Sequence, residues 1–194
     1  MIIPDLNLLV YAHNQSDDRH GPAREWWEAA LNGDEPVGLA WVTILGFIRL
    51  TTSRQVLQEP LPVTEVTAIV EEWLDQPVVR VLVPGRDHAR HCFGYLRKLG
   101  VAANLTTDAH LAARAFEYQA ELHGTDADFA RFPGLRWRNP LEKEGGGERG
   151  RAKNSPSLRA GRGATWVRLD GRKVRPCIKP PGPPPALARF WRGS

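Results

Sequence analysis

The hydrophobic positions in residues 1–141 follow two periods, which predict two kinds of element. Short β-branched or apolar runs predict strands, and longer segments with apolar residues three to four apart predict helices. The predicted strands cover residues 2–10, 36–39, 78–83, 103–106, 121–125 and 135–137. The predicted helices cover residues 23–31, 41–52, 64–74, 86–99 and 108–120. Strands that alternate with helices in this way predict an α/β fold with a mainly parallel sheet.

Individual residues refine the predicted boundaries. Pro22 suits the first turn of a helix, and Thr64 is expected to cap the N-terminus of another. Gly100 is expected to end the helix that precedes it. The short run at residues 36–39 is interpreted as an edge element of the sheet.

The pattern changes after residue 141. Residues 142–194 contain nine glycines and seven prolines, and they show neither helical nor strand periodicity. Such low-complexity composition is typical of a segment that forms no packed core. The sequence therefore predicts a folded unit at residues 1–141, followed by a basic, disordered Gly/Pro-rich extension at residues 142–194.

The net charge of +4 conceals a division between these two segments. Residues 1–141 contain 13 basic and 18 acidic side chains, whereas residues 142–194 contain 13 basic and 4 acidic ones. A basic segment indicates a polyanion or an acidic partner, or simply a solvated tail.

The two cysteines, Cys92 and Cys177, form no disulfide framework, which favours the cytoplasm. No signal peptide or membrane span is expected.

Four aspartates lie where apolar, strand-like runs stop. Asp5 interrupts the first run, Asp108 opens a helix, and Asp126 and Asp128 follow the weak strand at residues 121–125. Because the carboxyl ends of parallel strands share one edge of a sheet, these carboxylates should converge. Converging carboxylates repel one another, and a hard cation such as Mg²⁺ relieves that repulsion. The four aspartates therefore predict an acidic metal site.

Each aspartate also has an ordinary structural explanation. Asp5 could cap a turn or pair with a buried arginine. Asp108 suits a helix N-terminus, where it meets the helix dipole. Asp126 and Asp128 suit an ordinary turn. The metal-site hypothesis rests on the four acids together and not on any one of them.

Other candidate chemistry carries less weight. His88 and His91 lack a second pair of ligands at zinc spacing, so they are expected to lie on a helix without binding zinc. His110 could approach a substrate or face solvent. The sequence contains no Walker-type loop, nucleophile elbow or Cys-x-x-Cys pair, so the corresponding chemistries are disfavoured.

The order and spacing of three acidic segments along the chain resemble those of the PIN domain family, and in particular of the VapC-type toxins of bacterial toxin–antitoxin pairs. The matching segments are Asp5-Leu6-Asn7, Thr107-Asp108-Ala109-His110-Leu111-Ala112 and Thr125-Asp126-Ala127-Asp128-Phe129, with the ending Phe132-Pro133-Gly134-Leu135-Arg136-Trp137. The resemblance covers residues 1–141 and has no counterpart for the basic extension.

The resemblance implies a three-layer α/β/α sandwich and a Mg²⁺- or Mn²⁺-dependent endoribonuclease. Asp5 and Asp108 would hold the metal, Asp126 would complete its shell, and Asp128 would assist catalysis. The implied partners are an RNA substrate, a VapB-like antitoxin and a second copy of the chain. By the same analogy, Trp26, Trp27 and the helix at residues 41–52 would form walls of the antitoxin groove.

One position departs from the family pattern. PIN toxins usually carry a glutamate in the second long helix, and Gly46 stands there in this chain. A weakened PIN domain that binds RNA or a protein without cleavage is therefore the alternative. A metal-dependent phosphatase is a further alternative, although the expected Asp-x-Asp-x-Thr start is absent. A third possibility makes the basic extension a nucleic-acid tether.

Overall fold

The computed structural model describes residues 1–57 and 59–142. Apart from Glu142, the extension predicted at residues 142–194 lies outside the described residues. In chain order the strands are β1 (Ile2–Pro4), β2 (Val37–Ala40), β3 (Val79–Leu82), β4 (Glu121–His123) and β5 (Trp137–Arg138). The helices are α1 (Leu6–His13), α2 (His20–Asn32), α3 (Trp41–Thr51), α4 (Val63–Leu74), α5 (His88–Leu99) and α6 (Leu105–Glu117), with a 3-10 helix at Ala127–Arg131.

The five strands form one parallel sheet with β1 at its centre. Their order across the sheet is β3-β2-β1-β4-β5, and each neighbouring pair is parallel. A parallel sheet needs helical cover on both faces, because its crossover connections place helices there. The predicted α/β class and the three-layer α/β/α arrangement are confirmed.

Two hydrophobic clusters fill the space between the sheet and its two helical layers. One cluster lies among helices α1, α2, α3 and α4 and strands β2 and β3. Its largest fully buried side chains are Trp27, Phe47 and Trp73. The other joins α5, α6 and the 3-10 helix with β1 and β4, around Ile3, Leu122 and a run of alanines in α6. The small alanine side chains let α6 lie close to the sheet.

The strand predicted at residues 2–10 was wrong beyond Pro4. The backbone turns at Asp5, and residues 6–13 form α1. The apolar run continues across this boundary because α1 is itself buried from Leu8 onward. Hydrophobicity alone therefore cannot separate the strand from the helix.

Two other strand predictions need correction. The run at residues 36–39 corresponds to β2, but β2 lies between β1 and β3 and is not an edge strand. The strand at residues 103–106 does not form. Ala103 has a φ of 40°, and the backbone N–H of Leu105 bonds the carbonyl of Ala102 at the entry to α6.

Several helix predictions were close. The helix at residues 41–52 corresponds to α3, and Gly100 ends α5 in the left-handed conformation with φ of 69°. Thr64 is not an N-cap, because α4 begins one residue earlier and Pro62 occupies the cap position. In the described part of the chain, no helix has both the length and the apolar character needed to cross a bilayer.

Candidate active site

The topology of the sheet opens a crevice between the carboxyl ends of β1 and β4. The chain runs from β1 to β2 and β3 on one side, and then crosses to β4 on the other side of β1. In open α/β sheets, ligands bind at such a switch point. Asp5 follows β1 here, and Gly124 to Asp126 follow β4.

Asp5 lies at the N-cap position of α1, and 5% of its surface is exposed. Its backbone N–H donates a 2.8 Å hydrogen bond to the carbonyl of His123, which ties the end of β1 to the end of β4. The pKa of the Asp5 carboxyl is raised to about 6, mainly by burial and to a smaller extent by the charge of Asp126. The backbone N–H groups of Leu6 and Asn7 oppose this rise, although neither forms a regular capping bond.

Asp108 lies in the first turn of α6 and is half-buried. Burial is the main reason that its pKa rises to about 7, and the charges of Asp5, Asp126 and Asp128 contribute in that order. All four predicted carboxylates therefore lie within electrostatic reach of one another. In the described part of the chain, neither Asp5 nor Asp108 forms a salt bridge.

Asp126 and Asp128 have different surroundings although only one residue separates them. The Asp126 side chain caps the 3-10 helix by accepting a 2.9 Å hydrogen bond from the backbone N–H of Asp128. The Asp128 carboxylate accepts a 3.0 Å hydrogen bond from Arg131 Nη1, and both side chains are almost half exposed. Asp128 therefore lies at the rim, where an arginine already neutralises it.

Gly124 allows β1 and β4 to approach each other at the site. A Cβ atom at this position would lie 3.0 Å from Phe129 Cε2 and 3.1 Å from Asp5 Cβ. Both distances are shorter than ordinary contacts, so a side chain here would displace Asp5 or the 3-10 helix. The role of Gly124 was not predicted from the sequence, although its place directly before Thr125-Asp126 was a usable signal.

Gly46 stands where the family resemblance predicts a glutamate. It faces Leu6, the residue that follows Asp5. A Cβ atom at position 46 would lie 2.7 Å from Leu6 Cδ2. The side chain of Leu6 thus occupies the space through which a glutamate would leave α3. A larger side chain at position 46 would therefore require Leu6 to move.

The carboxylate oxygens of the four aspartates suit a hard divalent cation, but the described side chains do not enclose one. Within residues 1–57 and 59–142, no three His, Cys, Asp or Glu side chains stand close enough to hold an ion together. Asp5 and Asp108 are nevertheless oxygen donors in a shielded crevice, and no cation pairs with either among these residues. Carboxylates with raised pKa values and no cationic partner fit Mg²⁺ or Mn²⁺ better than a soft metal.

His110 and His88 face each other away from the four carboxylates. His88 Nε2 lies 2.9 Å from His110 Nδ1, and His88 Nδ1 lies 3.3 Å from Glu117 Oε2. This network joins α5 to α6. His110 is half-buried, and the side chain that it contacts is His88.

Comparisons with known proteins show the family that this chain is similar to. The model of the PIN domain family matches residues 2–135. Ribonuclease VapC33 of Mycobacterium tuberculosis is 47% identical over 143 residues, covering 74% of this chain and all of its own length. Ribonuclease VapC37 of the same organism is 41% identical over 140 residues, covering 72% of this chain and 97% of its own.

A solved structure shares the fold at lower identity. The structure of VapBC-1 from nontypeable Haemophilus influenzae superposes with a TM-score of 0.54 at 19% identity. The match covers 73% of this chain and all of that chain.

Proposed function

The chain belongs to the PIN domain family as a VapC-type member, and on that premise we propose that it is the endoribonuclease toxin of a toxin–antitoxin pair. We propose further that it hydrolyses RNA phosphodiester bonds with Mg²⁺ or Mn²⁺ bound by Asp5 and Asp108, with Asp126 completing the shell. The relatives that cover about three quarters of the chain are named ribonucleases, which supports the activity.

The observation that carries the metal proposal is the electrostatic state of Asp108. Its pKa is raised to about 7, first by burial and then by the charges of Asp5, Asp126 and Asp128. If these carboxylates served only the stability of the fold, they would be expected to pair with cationic side chains, because an unpaired charge in a shielded place costs free energy. The arrangement is better explained by a cation that binds with the substrate.

The aspartates would take different roles according to their surroundings. Asp5 is buried and Asp108 is half-buried, and these two would hold the cation directly. Asp126 would complete the shell, because its carboxylate is already oriented by the backbone N–H of Asp128. Asp128 forms an ion pair with Arg131, so we assign it to the solvent-exposed rim of the site.

The proposed reaction is hydrolysis. The oxygen of a water molecule bonds to phosphorus, the bond from phosphorus to the 3′ oxygen breaks, and a proton passes to that oxygen. The products carry a 5′-phosphate and a 3′-hydroxyl. When bound, a divalent cation supplies positive charge at the phosphate and lowers the pKa of water. The carboxylates alone repel RNA, so substrate binding should depend on the cation.

A VapB-like antitoxin is the proposed protein partner, and a homodimer is the proposed assembly. VapBC-1, the structural neighbour, is by its name a toxin–antitoxin pair. Trp27 is fully buried and cannot line a groove, while Trp26 is half-buried and donates a hydrogen bond to His123 Nδ1. Trp41 and Leu45, which are 53% and 59% exposed on α3, are better candidates for an apolar contact.

A PIN domain that binds RNA without cutting it remains the second candidate function. The contact between Gly46 and Leu6 favours it, because one acidic ligand of the usual set is replaced by an apolar side chain. This candidate predicts RNA binding that depends on metal and no new RNA ends.

The test compares Asp5→Asn and Asp108→Asn with wild-type protein on total RNA in Mg²⁺ or Mn²⁺. Each substitution should slow cleavage by at least about 100-fold, because charge stabilisation by a bound metal is worth several kcal/mol. Asp34→Asn is the matched control, since Asp34 is exposed in the turn between α2 and β2. Thermal melting must show that all variants are folded.

The two candidate functions separate clearly in this assay. Full cleavage by a folded Asp5→Asn or Asp108→Asn protein would contradict the proposed metal site. A folded wild-type chain that binds RNA with metal and makes no cuts would favour the second candidate.

A further inference from the structure

Arg19 is held firmly at the start of α2 while much of its side chain remains in solvent. Its Nε donates to Asp17 Oδ1 at 2.8 Å, and its Nη2 donates to Asp17 Oδ2 at 2.9 Å. The Arg19 side chain is 48% exposed, whereas that of Asp17 is 12% exposed. Such a two-point pair fixes the plane of the guanidinium group.

A second contact fixes the same guanidinium from one face. Arg19 Cζ lies 3.6 Å from the centroid of the Tyr11 ring, which is a cation–π distance. Tyr11 is buried in α1, with 4% of its surface exposed. Arg19 is thus ordered before any ligand arrives, and it loses little conformational freedom on binding.

Tyr11 connects this arginine to the acidic crevice. Burial raises the pKa of the Tyr11 phenol, while Arg19 and a hydrogen bond with Thr125 lower it. The charges of Asp17 and Asp5 act on the same phenol. Thr125 directly precedes Asp126, and Asp5 begins the helix that carries Tyr11. The guanidinium therefore lies beside the crevice, with one aromatic ring between them.

The remaining donors of Arg19 suit a phosphate group. A guanidinium has five N–H donors. The pair with Asp17 uses one on Nε and one on Nη2, and the Tyr11 side chain is a further hydrogen-bond partner, which leaves two donors for a ligand. Two other arginines, Arg131 and Arg136, have partners of a different kind. Arg131 pairs with Asp128 of the site itself, and Arg136 donates to the carbonyl of Gln119.

We propose that Arg19 binds a backbone phosphate of the RNA strand next to the phosphate that is cut. This inference rests on the proposed ribonuclease activity. Asp17 and Tyr11 position the guanidinium, and its exposed end faces the strand as it leaves the crevice. The contact is to the backbone, so it strengthens binding without selecting a base.

The test measures cleavage kinetics and RNA binding of the full chain on a defined single-stranded RNA oligonucleotide. Arg19→Ala should raise KM by about 10-fold or more, since hydrogen bonds to charged groups are the stronger kind. Its kcat should change by less than about 3-fold, because the contact is to a phosphate that does not react. The salt dependence of RNA binding should weaken by about 0.7 in the log–log slope.

Arg24→Ala is the matched control. Arg24 lies on the same helix, also pairs with an acid (Glu28, at 2.8 Å), and carries the same charge. It should leave KM and the salt slope at their wild-type values. Arg19→Gln is the second variant, because glutamine removes the charge but can still bond Asp17 if alanine proves unstable. We expect it to behave as Arg19→Ala does.

The outcomes are distinct. Wild-type KM and salt slope in folded Arg19→Gln would overturn the phosphate contact while leaving the ribonuclease proposal intact. An equal loss in Arg24→Ala would also overturn it, since only general charge would then matter. A wild-type chain that neither binds nor cuts RNA would overturn both proposals. A change confined to the Arg19 variants, with kcat preserved, is the supporting result.

Discussion

At the scale of single residues, the site is defined by carboxylates that resist ionisation. Asp5 and Asp108 have pKa values of about 6 and about 7, with burial as the first cause of each. The type and rough position of both residues were predictable from the sequence, because each one interrupts or ends an apolar run. Their pKa values were not, because burial and the nearness of Asp126 arise only in the folded chain.

The first prediction concerns stability against pH in the absence of metal. The folded pKa of Asp108 is raised from 3.8 to about 7, so the native state keeps a proton that the unfolded state has released. The free energy of unfolding should therefore fall as pH rises from about 4 to about 7. Asp108→Asn removes this effect and should be more stable than wild type at pH 8 by about 1–2 kcal/mol after allowance for solvent contact.

Thermal melting in EDTA at pH 5 and pH 8 checks this prediction. The difference between Asp108→Asn and wild type should grow at pH 8, whereas Asp34→Asn should show no such change. Added Mn²⁺ should stabilise wild type at pH 8 and should have much less effect on Asp108→Asn. A difference of the same size at both pH values would show that Asp108 is not held in this electrostatic state.

At the scale of elements, the site depends on how the ends of β1 and β4 meet. The bond from Asp5 N–H to the His123 carbonyl and the missing side chain at Gly124 set this distance. The order of elements was largely predictable, because α3, α5 and β3 carry clear periodic patterns. The end of β1 was not, because apolar residues continue from the strand into the buried face of α1.

Gly124→Ala provides the test at this scale. The new methyl group would press on Asp5 and Phe129, so we expect a loss of about 1–3 kcal/mol in stability. Cleavage should fall by more than stability alone explains, because Asp5 moves relative to Asp108. The assay compares activity well below the melting temperature.

Gly21→Ala is the control substitution for Gly124→Ala. Gly21 lies in the first turn of α2, and nothing lies within 4 Å of the Cβ that would be added. We expect unchanged cleavage there. Normal activity in a folded Gly124→Ala protein would mean that the β1–β4 contact does not determine the geometry of the site.

At the scale of the whole molecule, the parallel order explains why acids distant in sequence meet. Asp5 and Asp126 follow strands that are neighbours only after the chain has crossed from β3 to β4. The sequence predicted convergence at the strand ends but could not predict which strands are neighbours. It also misplaced Trp27 in a groove, because an apolar helical stripe does not reveal whether its partner is the core or another protein.

The division of the chain at residue 141 remains a prediction. A chain that ends at residue 142 should melt at the same temperature as the full chain, because the Gly/Pro-rich composition after that point is typical of a segment that forms no packed core. It should also cleave RNA at the same rate. Loss of RNA affinity and of its salt dependence on truncation would instead support the basic extension as a nucleic-acid tether.

The most direct test of the account is to map RNA ends after incubating the full chain with total RNA in Mg²⁺, Mn²⁺ or EDTA. The account predicts discrete cuts that carry 5′-phosphates, appear only with the divalent ion, and are lost in Asp5→Asn. Cuts that persist in EDTA, or products that end in a cyclic phosphate, would contradict hydrolysis at a metal site built from Asp5, Asp108, Asp126 and Asp128.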